Sequence, residues 1–268
     1  MKKLGFIGMG NMAKALASGF IGRNAIKGEN VFAYAPNQDK LKKNAKKIGF
    51  IPMSSLTELV NSVDTVVMAC KPYQIEQVLL DIKNDTECVG LAGKNLVSIA
   101  AGWDFDKYSQ FIGEETGIQF VMPNTPVMVG EGVLLFEEKN SLRAEERDEI
   151  ERLFASVGIV EELPSNLMGI GGAVTGCGPA FVDLLIEAYA DAGVKYGLQR
   201  ATAYRFVEQM ILGSAKLALE TGKHPGILKD EVCSPGGTTI RGVAALESEG
   251  FRAACEASID AIMDFKKS

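Results

Sequence analysis

The chain has 268 residues, of which 47% are hydrophobic and 23% are charged, so it is long enough for one large domain or two medium ones with their own cores. Its net charge of −6 and pI near 5.1 give no general electrostatic reason to bind nucleic acid or anionic membranes. We therefore expect no nucleic-acid partner and no membrane partner.

The N-terminal and cysteine patterns favour a cytoplasmic location. The apolar stretch near the start is interrupted by Gly8, Gly10, Asn11 and Lys14, which a secretory signal does not tolerate. The five cysteines are widely spaced and form no Cys-x-x-Cys pair, which is typical of reduced thiols in a cytosolic protein.

The first predicted element is a strand from Leu4 that breaks at Gly8-Met9-Gly10 and continues as a helix. This pattern is typical of a turn that places a dinucleotide pyrophosphate on a helix N-terminus, although such turns also occur without a ligand. The first glycine makes the tight turn, the second lets backbone N–H groups approach the phosphates, and the small Ala13 permits close packing. The cofactor-binding residues predicted here are Gly8, Gly10, Asn11 and Met12.

Strands and helices then alternate as a doubly wound parallel sheet requires. Further strands are predicted at 31–35, 64–69, 95–100, 119–122, 133–136 and 159–161, with helical segments at 37–48, 73–82, 103–112 and 142–156 and a short helix that begins at Ser55. The helix after Ser55 is predicted from a Ser55-x-x-Glu58 capping box. We predict an α/β, Rossmann-like dinucleotide-binding domain over residues 1–162.

The second predicted strand ends without an acid, at Tyr34-Ala35-Pro36-Asn37. NAD sites usually place an acid there to accept the ribose 2′-OH, and Asp39 is better explained as a first-turn helix acid. Asn37 with Lys40 could hold a 2′-phosphate. We therefore predict that Ala35 and Asn37 contact the cofactor and that NADP(H) is preferred, with NAD(H) possible.

Two proline-containing loops follow strands at the carboxyl edge of the predicted sheet, where open α/β sheets bind ligands. Lys71-Pro72 follows the strand at 64–69 and is predicted to contact the cofactor, with a solvated surface lysine as the alternative. In Met122-Pro123-Asn124-Thr125-Pro126 the prolines stiffen the loop. Asn124 is predicted to face the nicotinamide or the substrate; a merely rigid loop is the alternative.

After Pro164 the chain shows only helical periodicity, with helices predicted at 179–192, 201–219, 238–248 and 250–265. The uncharged stretch 167–181 contains five glycines, which favours a buried segment between domains or subunits over a membrane span. We predict an all-helical dimerisation and substrate-binding domain over 163–268, which buries apolar surface against a second copy and gives a homodimer or higher homo-oligomer.

The densest polar motif lies at the start of the predicted helix 238–248. Two adjacent glycines expose backbone N–H groups, and three hydroxyls surround the positive end of the helix dipole, which together form a site for a carboxylate or phosphate. An N-cap without a ligand needs only one hydroxyl. The predicted substrate-binding residues are Ser234, Gly236, Gly237, Thr238 and Thr239. A second glycine-rich helix start, Thr175 to Ala180, is either a site element or a close-packing elbow.

The sequence contains a single histidine, His224, which is predicted in a loop. A single histidine excludes a relay or metal site built on several histidines. No tight acidic cluster suggests a metal held by carboxylates. We therefore expect no metal.

With these motifs in place, the chain closely resembles the pyrroline-5-carboxylate reductase family over essentially its whole length. The resemblance rests on Gly8-x-Gly10-Asn11-Met12, Lys71-Pro72, Met122-Pro123-Asn124-Thr125-Pro126 and, most specifically, Ser234-Pro235-Gly236-Gly237-Thr238-Thr239 with Leu246-Glu247. Gly178-Pro179-Ala180 with Glu187-Ala188 supports it. Cys177 departs from the serine that is common in the family, which puts a hydrogen-bonding role for that side chain in doubt.

The resemblance implies NAD(P)H-dependent reduction of 1-pyrroline-5-carboxylate to L-proline and a C-terminal domain that dimerises by interlocking. An imine is basic enough to bind as iminium near neutral pH, so the reaction has little need of a strong general acid. We predict Thr239, Ser234 and Asn124 as the catalytic residues. The alternatives are another NADP-dependent β-hydroxyacid or imine reductase, for which Lys195 and Lys216 are available but lie in no suggestive motif, and a non-catalytic NADP(H)-binding regulator.

Overall fold

The computed structural model describes residues 3–265, which fall into two compact units, 1–177 and 178–268. The first two and last three residues of the predicted domains lie outside the described part. The division into compact units falls later in the chain than the predicted boundary at 162/163. The reason is that the helical segment after Pro164 first packs on the sheet: a Cβ added at Gly172 would lie only 1.9 Å from Met122 Sδ.

The first unit contains one eight-stranded sheet with the order β3-β2-β1-β4-β5-β6-β7-β8. The strands are β1 (Leu4–Ile7), β2 (Val31–Tyr34), β3 (Ile51–Pro52), β4 (Thr65–Met68), β5 (Asn95–Ser98), β6 (Gly117–Pro123), β7 (Gly132–Glu137) and β8 (Gly158–Leu163). Every neighbouring pair is parallel except β6 and β7, which are antiparallel.

Helices cover both faces of this sheet: α1 (Asn11–Gly22), α2 (Gln38–Ile48), α3 (Leu56–Ser62), α4 (Ile75–Asn84), α5 (Phe105–Ser109), α6 (Ala144–Ala155) and α7 (Met168–Gly172). Alternation along the strands separates two cores. In β4, Val67 packs into the core that holds Leu16 and Phe154, whereas Val66 and Met68 pack into the opposite core. The predicted doubly wound, Rossmann-like architecture is confirmed. The strand β7 was predicted, but its antiparallel direction was not.

Local hydrogen bonds explain where two of these helices begin. The Asn37 side-chain oxygen accepts from the Lys40 N–H at 2.9 Å and caps α2, and Asp39 lies in its first turn as predicted. Ser55 Oγ accepts from the Glu58 N–H at 3.0 Å and caps α3. The Glu58 carboxylate accepts from the N–H and hydroxyl of Ser54, which lowers the pKa of Glu58. These caps hold α2 and α3 in register with the strands before them.

The second unit is entirely helical: α8 (Gly178–Lys195), α9 (Arg200–Thr221), α10 (Pro225–Val232), α11 (Thr238–Ser248) and α12 (Phe251–Phe265). Helix α10 was not predicted; Pro225 starts it and His224 caps it by accepting from the Gly226 N–H at 3.0 Å. Among its described residues, only Ala190 and Ala203 are buried. The apolar faces of these helices therefore remain largely uncovered within the described part of this unit.

The exposed large apolar side chains of this unit include Leu184 on α8, Phe206, Leu212, Leu217 and Leu219 on α9, and Val232 on α10. The continuous helical stretch Ser165–Lys195 is long and apolar enough to cross a membrane by length and composition alone, and no other helix in the described part of the chain is. Core helices of proteins without any membrane segment pass the same test, so this finding is weak.

Candidate active site

The glycine turn after β1 lies directly against the end of β4. Gly8 has φ +94° and donates its N–H to the Tyr34 carbonyl at 2.8 Å. A Cβ added there would lie 2.7 Å from Cys70 N and 2.9 Å from the Ala69 carbonyl carbon, closer than real Cβ atoms approach. Glycine is therefore required at this position by both backbone conformation and space.

The start of α1 is open. Gly10 is its N-cap and provides no side-chain cap, and no acidic residue lies in the first turn. A Cβ added at Gly10 would meet nothing within 4 Å. Uncapped N–H groups at the positive end of a helix dipole, reached over an open glycine, fit the pyrophosphate of a dinucleotide. Gly8, Gly10, Asn11 and Met12 thus lie together in one turn.

The end of β2 presents no carboxylate before α2. Ala35 is half-buried and its carbonyl accepts from Gln38 Nε2 at 3.0 Å, while Asn37 is exposed and its amide oxygen is used by the cap of α2. The amide nitrogen of Asn37 has no partner among the described residues, and Lys40 is exposed. These groups suit a phosphate on the ribose better than a free 2′-OH.

The loop after β4 places Lys71 and Pro72 next to the Gly8 turn. Cys70, whose backbone N lies against Gly8, is half-buried, and burial raises the pKa of its thiol to about 11. Lys71 and Pro72 are exposed at the carboxyl edge of the sheet. The structure therefore brings Lys71 and Pro72 to the predicted cofactor side.

Asn124 lies at the end of β6 and is only 6% exposed. Its Oδ1 accepts from the Val133 N–H at 2.9 Å, and its Nδ2 donates to the Thr175 carbonyl at 3.0 Å. Thr175 belongs to a π-helical turn, Ala173–Cys177, that precedes α8. Such turns are frequent at functional sites. Asn124 therefore braces this turn, and the prediction that it faces the nicotinamide or substrate stays a prediction.

Thr175 is the hydrogen-bond partner of the Asn124 amide. The sequence analysis considered Thr175 only as part of a glycine-rich helix start. Its hydroxyl donates to the Gly171 carbonyl at 2.9 Å, while its own carbonyl takes the amide of Asn124. The two residues are 51 positions apart, so no local pattern pointed to the contact. Cys177 closes the π turn as a half-buried free thiol.

The turn before α11 has the features of an anion site. Gly236 has φ +70°, and the Gly237 N–H donates to the Ser234 carbonyl at 3.0 Å, which closes the turn. Ser234 Oγ lies over Gly237, 2.4 Å from where a Cβ would be. Gly237 is the N-cap of α11 and gives no side-chain cap. Ser234, Thr238 and Thr239 are exposed, so their hydroxyls and the first N–H groups of α11 are free for a ligand.

The lysines considered for a β-hydroxyacid mechanism lie elsewhere. Lys216 pairs with Glu220 at 3.6 Å along α9, and the Lys195 ammonium lies 5.7 Å from the centroid of the Tyr196 ring. Within residues 3–265, no group of three or more His, Cys, Asp or Glu side chains is arranged to hold a metal ion.

Family models match both parts of the chain. Residues 165–268 match the model for pyrroline-5-carboxylate reductase dimerisation, and residues 3–102 match the model for NADP oxidoreductase, coenzyme F420-dependent. The second match lies within the unit that carries the Gly8 turn, and the first includes the turn before α11.

Whole-chain relatives agree with the family models. The pyrroline-5-carboxylate reductase of Treponema pallidum is 39% identical over 255 residues, covering 94% of this chain and 95% of the relative. The Escherichia coli enzyme of the same name is 39% identical over 253 residues, covering 94% and 93%. The solved structure of Plasmodium falciparum pyrroline carboxylate reductase with NADP bound is 36% identical and superposes with a TM-score of 0.87 over 99% of this chain and 97% of that one.

Proposed function

The chain belongs to the pyrroline-5-carboxylate reductase family, and we propose that residues 8–12 hold the NADP(H) pyrophosphate and residues 234–239 the substrate carboxylate. The protein is an NAD(P)H-dependent oxidoreductase that reduces 1-pyrroline-5-carboxylate to L-proline in proline biosynthesis. The cofactor, when bound, supplies the hydride that adds to the carbon of the C=N bond.

The reduction of an iminium requires little acid catalysis by the protein. An imine nitrogen is basic enough to carry its proton on binding, so the ring is already activated and the nitrogen becomes the amine of proline once its carbon is reduced. The residues of the site are hydroxyls, amides and backbone N–H groups, which bind and orient. The absence of a candidate His in the sequence is consistent with such a mechanism.

The observation that carries the carboxylate assignment is the closed turn from Ser234 to Gly237 on the uncapped start of α11. Backbone N–H groups there point along the helix axis, and the hydroxyls of Ser234 and Thr239 can each donate one hydrogen bond to a carboxylate oxygen. Gly236, Gly237 and Thr238 complete the proposed pocket. In this proposal Thr239 and Ser234 orient the ring, and a neighbouring hydroxyl or water gives the proton that the amine takes up after reduction.

The buried hydrogen bonds of Asn124 support a role in positioning the chain, in addition to its proposed contact with the nicotinamide or the substrate. Its amide links β7 to the π turn through Val133 and Thr175, so it fixes the shape of the chain at the end of β6. Only one N–H of its amide is taken by Thr175, and the other is left for the cofactor or substrate.

The test is Thr239→Ala, with Ser248→Ala at the far end of the same helix as the matched control. Loss of a hydrogen bond to a charged group costs about 1.5–3 kcal/mol, so the KM for pyrroline-5-carboxylate should rise about tenfold or more while the Kd for NADPH stays the same. Activity is followed as NADPH absorbance loss, with a 2-keto acid as the substrate control. An unchanged KM in folded Thr239→Ala protein would show that the carboxylate binds elsewhere.

The protein forms homo-oligomers, and we propose a homodimer as the basic assembly, with residues 163–268 as its dimerisation domain and 1–162 as the dinucleotide-binding domain. The largely uncovered apolar faces of α8 and α9 support this assignment, because a unit whose described residues bury only Ala190 and Ala203 needs a partner. We also propose a cytoplasmic location, which the five free thiols favour and cell fractionation would test.

A further inference from the structure

We propose that Trp103 is a positioning residue for NADP(H), acting through the Lys71-Pro72 loop. The inference rests on the proposed cofactor site. Trp103 is the single tryptophan of the chain and is 4% exposed. Its indole Nε1 donates to the Pro72 carbonyl at 3.0 Å. The residue follows β5 in sequence, so it ties two neighbouring strand ends together at the carboxyl edge of the sheet.

The loop that Trp103 holds has few other anchors. Lys71, Pro72 and Tyr73 are exposed, and Tyr73 is 83% exposed. Within the loop, the Lys71 N–H donates to Gln74 Oε1 at 3.1 Å and the Gln74 N–H donates to the Lys71 carbonyl at 2.9 Å. Both bonds stay inside the loop and fix its shape. The indole bond fixes its position relative to β5.

The chain just before this loop packs directly against the Gly8 turn of the proposed cofactor site. Cys70, one residue before Lys71, has its backbone N against Gly8 at a spacing that leaves no room for a Cβ. A displacement at Pro72 is therefore passed to the glycine turn through two residues of chain, because close-packed neighbours do not absorb it. The bond from Trp103 goes to the Pro72 carbonyl, so Trp103 acts on the proposed cofactor site through the backbone.

The indole itself is firmly placed. Its ring centroid lies 4.9 Å from Tyr108 and 5.5 Å from Phe111, and the Lys107 ammonium lies 4.4 Å above it. Tyr108 is fully buried. Packing against the buried Tyr108 ring fixes the direction of the N–H, whereas Phe111, which is 38% exposed, packs on the ring from the outside. A phenylalanine at position 103 would keep most of the ring packing and lose the Nε1 hydrogen-bond donor, which separates the contribution of the packing from that of the hydrogen bond.

The experiment compares Trp103→Phe with Phe111→Leu, which loosens the aromatic packing but leaves the Nε1 bond. Binding of NADPH is measured by calorimetry without substrate, and thermal unfolding is measured beside it. Without the indole bond the free loop populates other positions, and NADPH binding must restore the bound one at a cost of up to one net hydrogen bond, which is a factor of about twofold to tenfold. Trp103→Phe should therefore weaken NADPH binding within that range and raise the KM for NADPH with kcat little changed. Phe111→Leu should lower the Tm without this change in affinity.

A double-mutant cycle tests the route. Pro72→Ala relaxes the loop, so combining it with Trp103→Phe should weaken binding by less than the product of the two single effects. Unchanged NADPH affinity in Trp103→Phe, or two effects that simply multiply, would overturn the proposal. If the unaltered protein failed to bind NADPH, the proposed cofactor site would be wrong instead, so the two failures are distinguishable.

Discussion

Replacing the two glycines of the first turn should separate folding from cofactor binding. In Gly8→Ala the methyl group would sit 2.7 Å from Cys70 N at φ +94°. The left-handed conformation costs roughly 1–2 kcal/mol, and forcing β1 away from the end of β4 adds about 1–3 kcal/mol. We expect Gly8→Ala to lose about 2–5 kcal/mol of stability, which is a large share of the stability of an ordinary domain.

Gly10→Ala is the matched variant. Gly10 has φ −73° and a Cβ there meets nothing within 4 Å, so the fold should tolerate it with the Tm nearly unchanged. The methyl group would instead occupy the space through which phosphates reach the N–H groups of α1. Loss of one charge-assisted hydrogen bond costs about 1.5–3 kcal/mol, which weakens NADPH binding about tenfold to a hundredfold.

Urea unfolding and NADPH calorimetry on both variants test this reasoning. Gly8→Ala should lower the free energy of unfolding in urea. Gly10→Ala should leave that free energy nearly unchanged and weaken NADPH binding in calorimetry. A Gly8→Ala protein as stable as the parent would refute the packing argument. A Gly10→Ala protein with unchanged NADPH affinity would show that the pyrophosphate does not bind at this turn.

Three further outcomes are expected. Asn37→Asp keeps the α2 cap but adds the missing acid, so kcat/KM should shift from NADPH toward NADH, whereas Asn37→Ser, which keeps the cap and adds no charge, should shift the ratio much less. Burial raises the pKa of Cys70 from 9.0 to about 11, so its thiolate fraction at pH 8 is about a hundredfold lower. Iodoacetamide should therefore label exposed Cys255 first and Cys70 only as the pH rises, and equal labelling at pH 8 would contradict this. Leu212→Glu on the exposed face of α9 should reduce the sedimentation coefficient by splitting the oligomer, and an unchanged coefficient would show that this face is not the interface.

Features governed by neighbours in sequence were predictable. The caps at Asn37 and Ser55 join residues three positions apart, and the break at Gly8 follows from chain geometry alone. The antiparallel direction of β7 was not predicted, although the sequence contained a signal for it. Only residues 124–131 separate it from β6, which is too short for the crossover that a parallel strand needs.

Contacts between distant residues were not predictable in this way. Nothing near Asn124 indicates that its amide meets Thr175, and nothing near Trp103 indicates that its N–H meets Pro72. Both contacts arise only when the sheet order places separate loops at one edge. Sequence motifs therefore identified the residues proposed to bind ligands, while the residues that hold them in place became visible only in the fold.

The two proposed binding turns differ in what stabilises them. The Gly8 turn rests on a sheet with a core on both faces, whereas the turn before α11 lies in a unit whose described residues bury only Ala190 and Ala203. Each large apolar side chain that a partner covers contributes about 1.5–3 kcal/mol, so the order of the second unit depends on the oligomer. Splitting the oligomer should accordingly abolish binding of pyrroline-5-carboxylate while NADPH binding persists. We therefore expect substrate recognition in this enzyme to be coupled to assembly, and cofactor recognition to be independent of it.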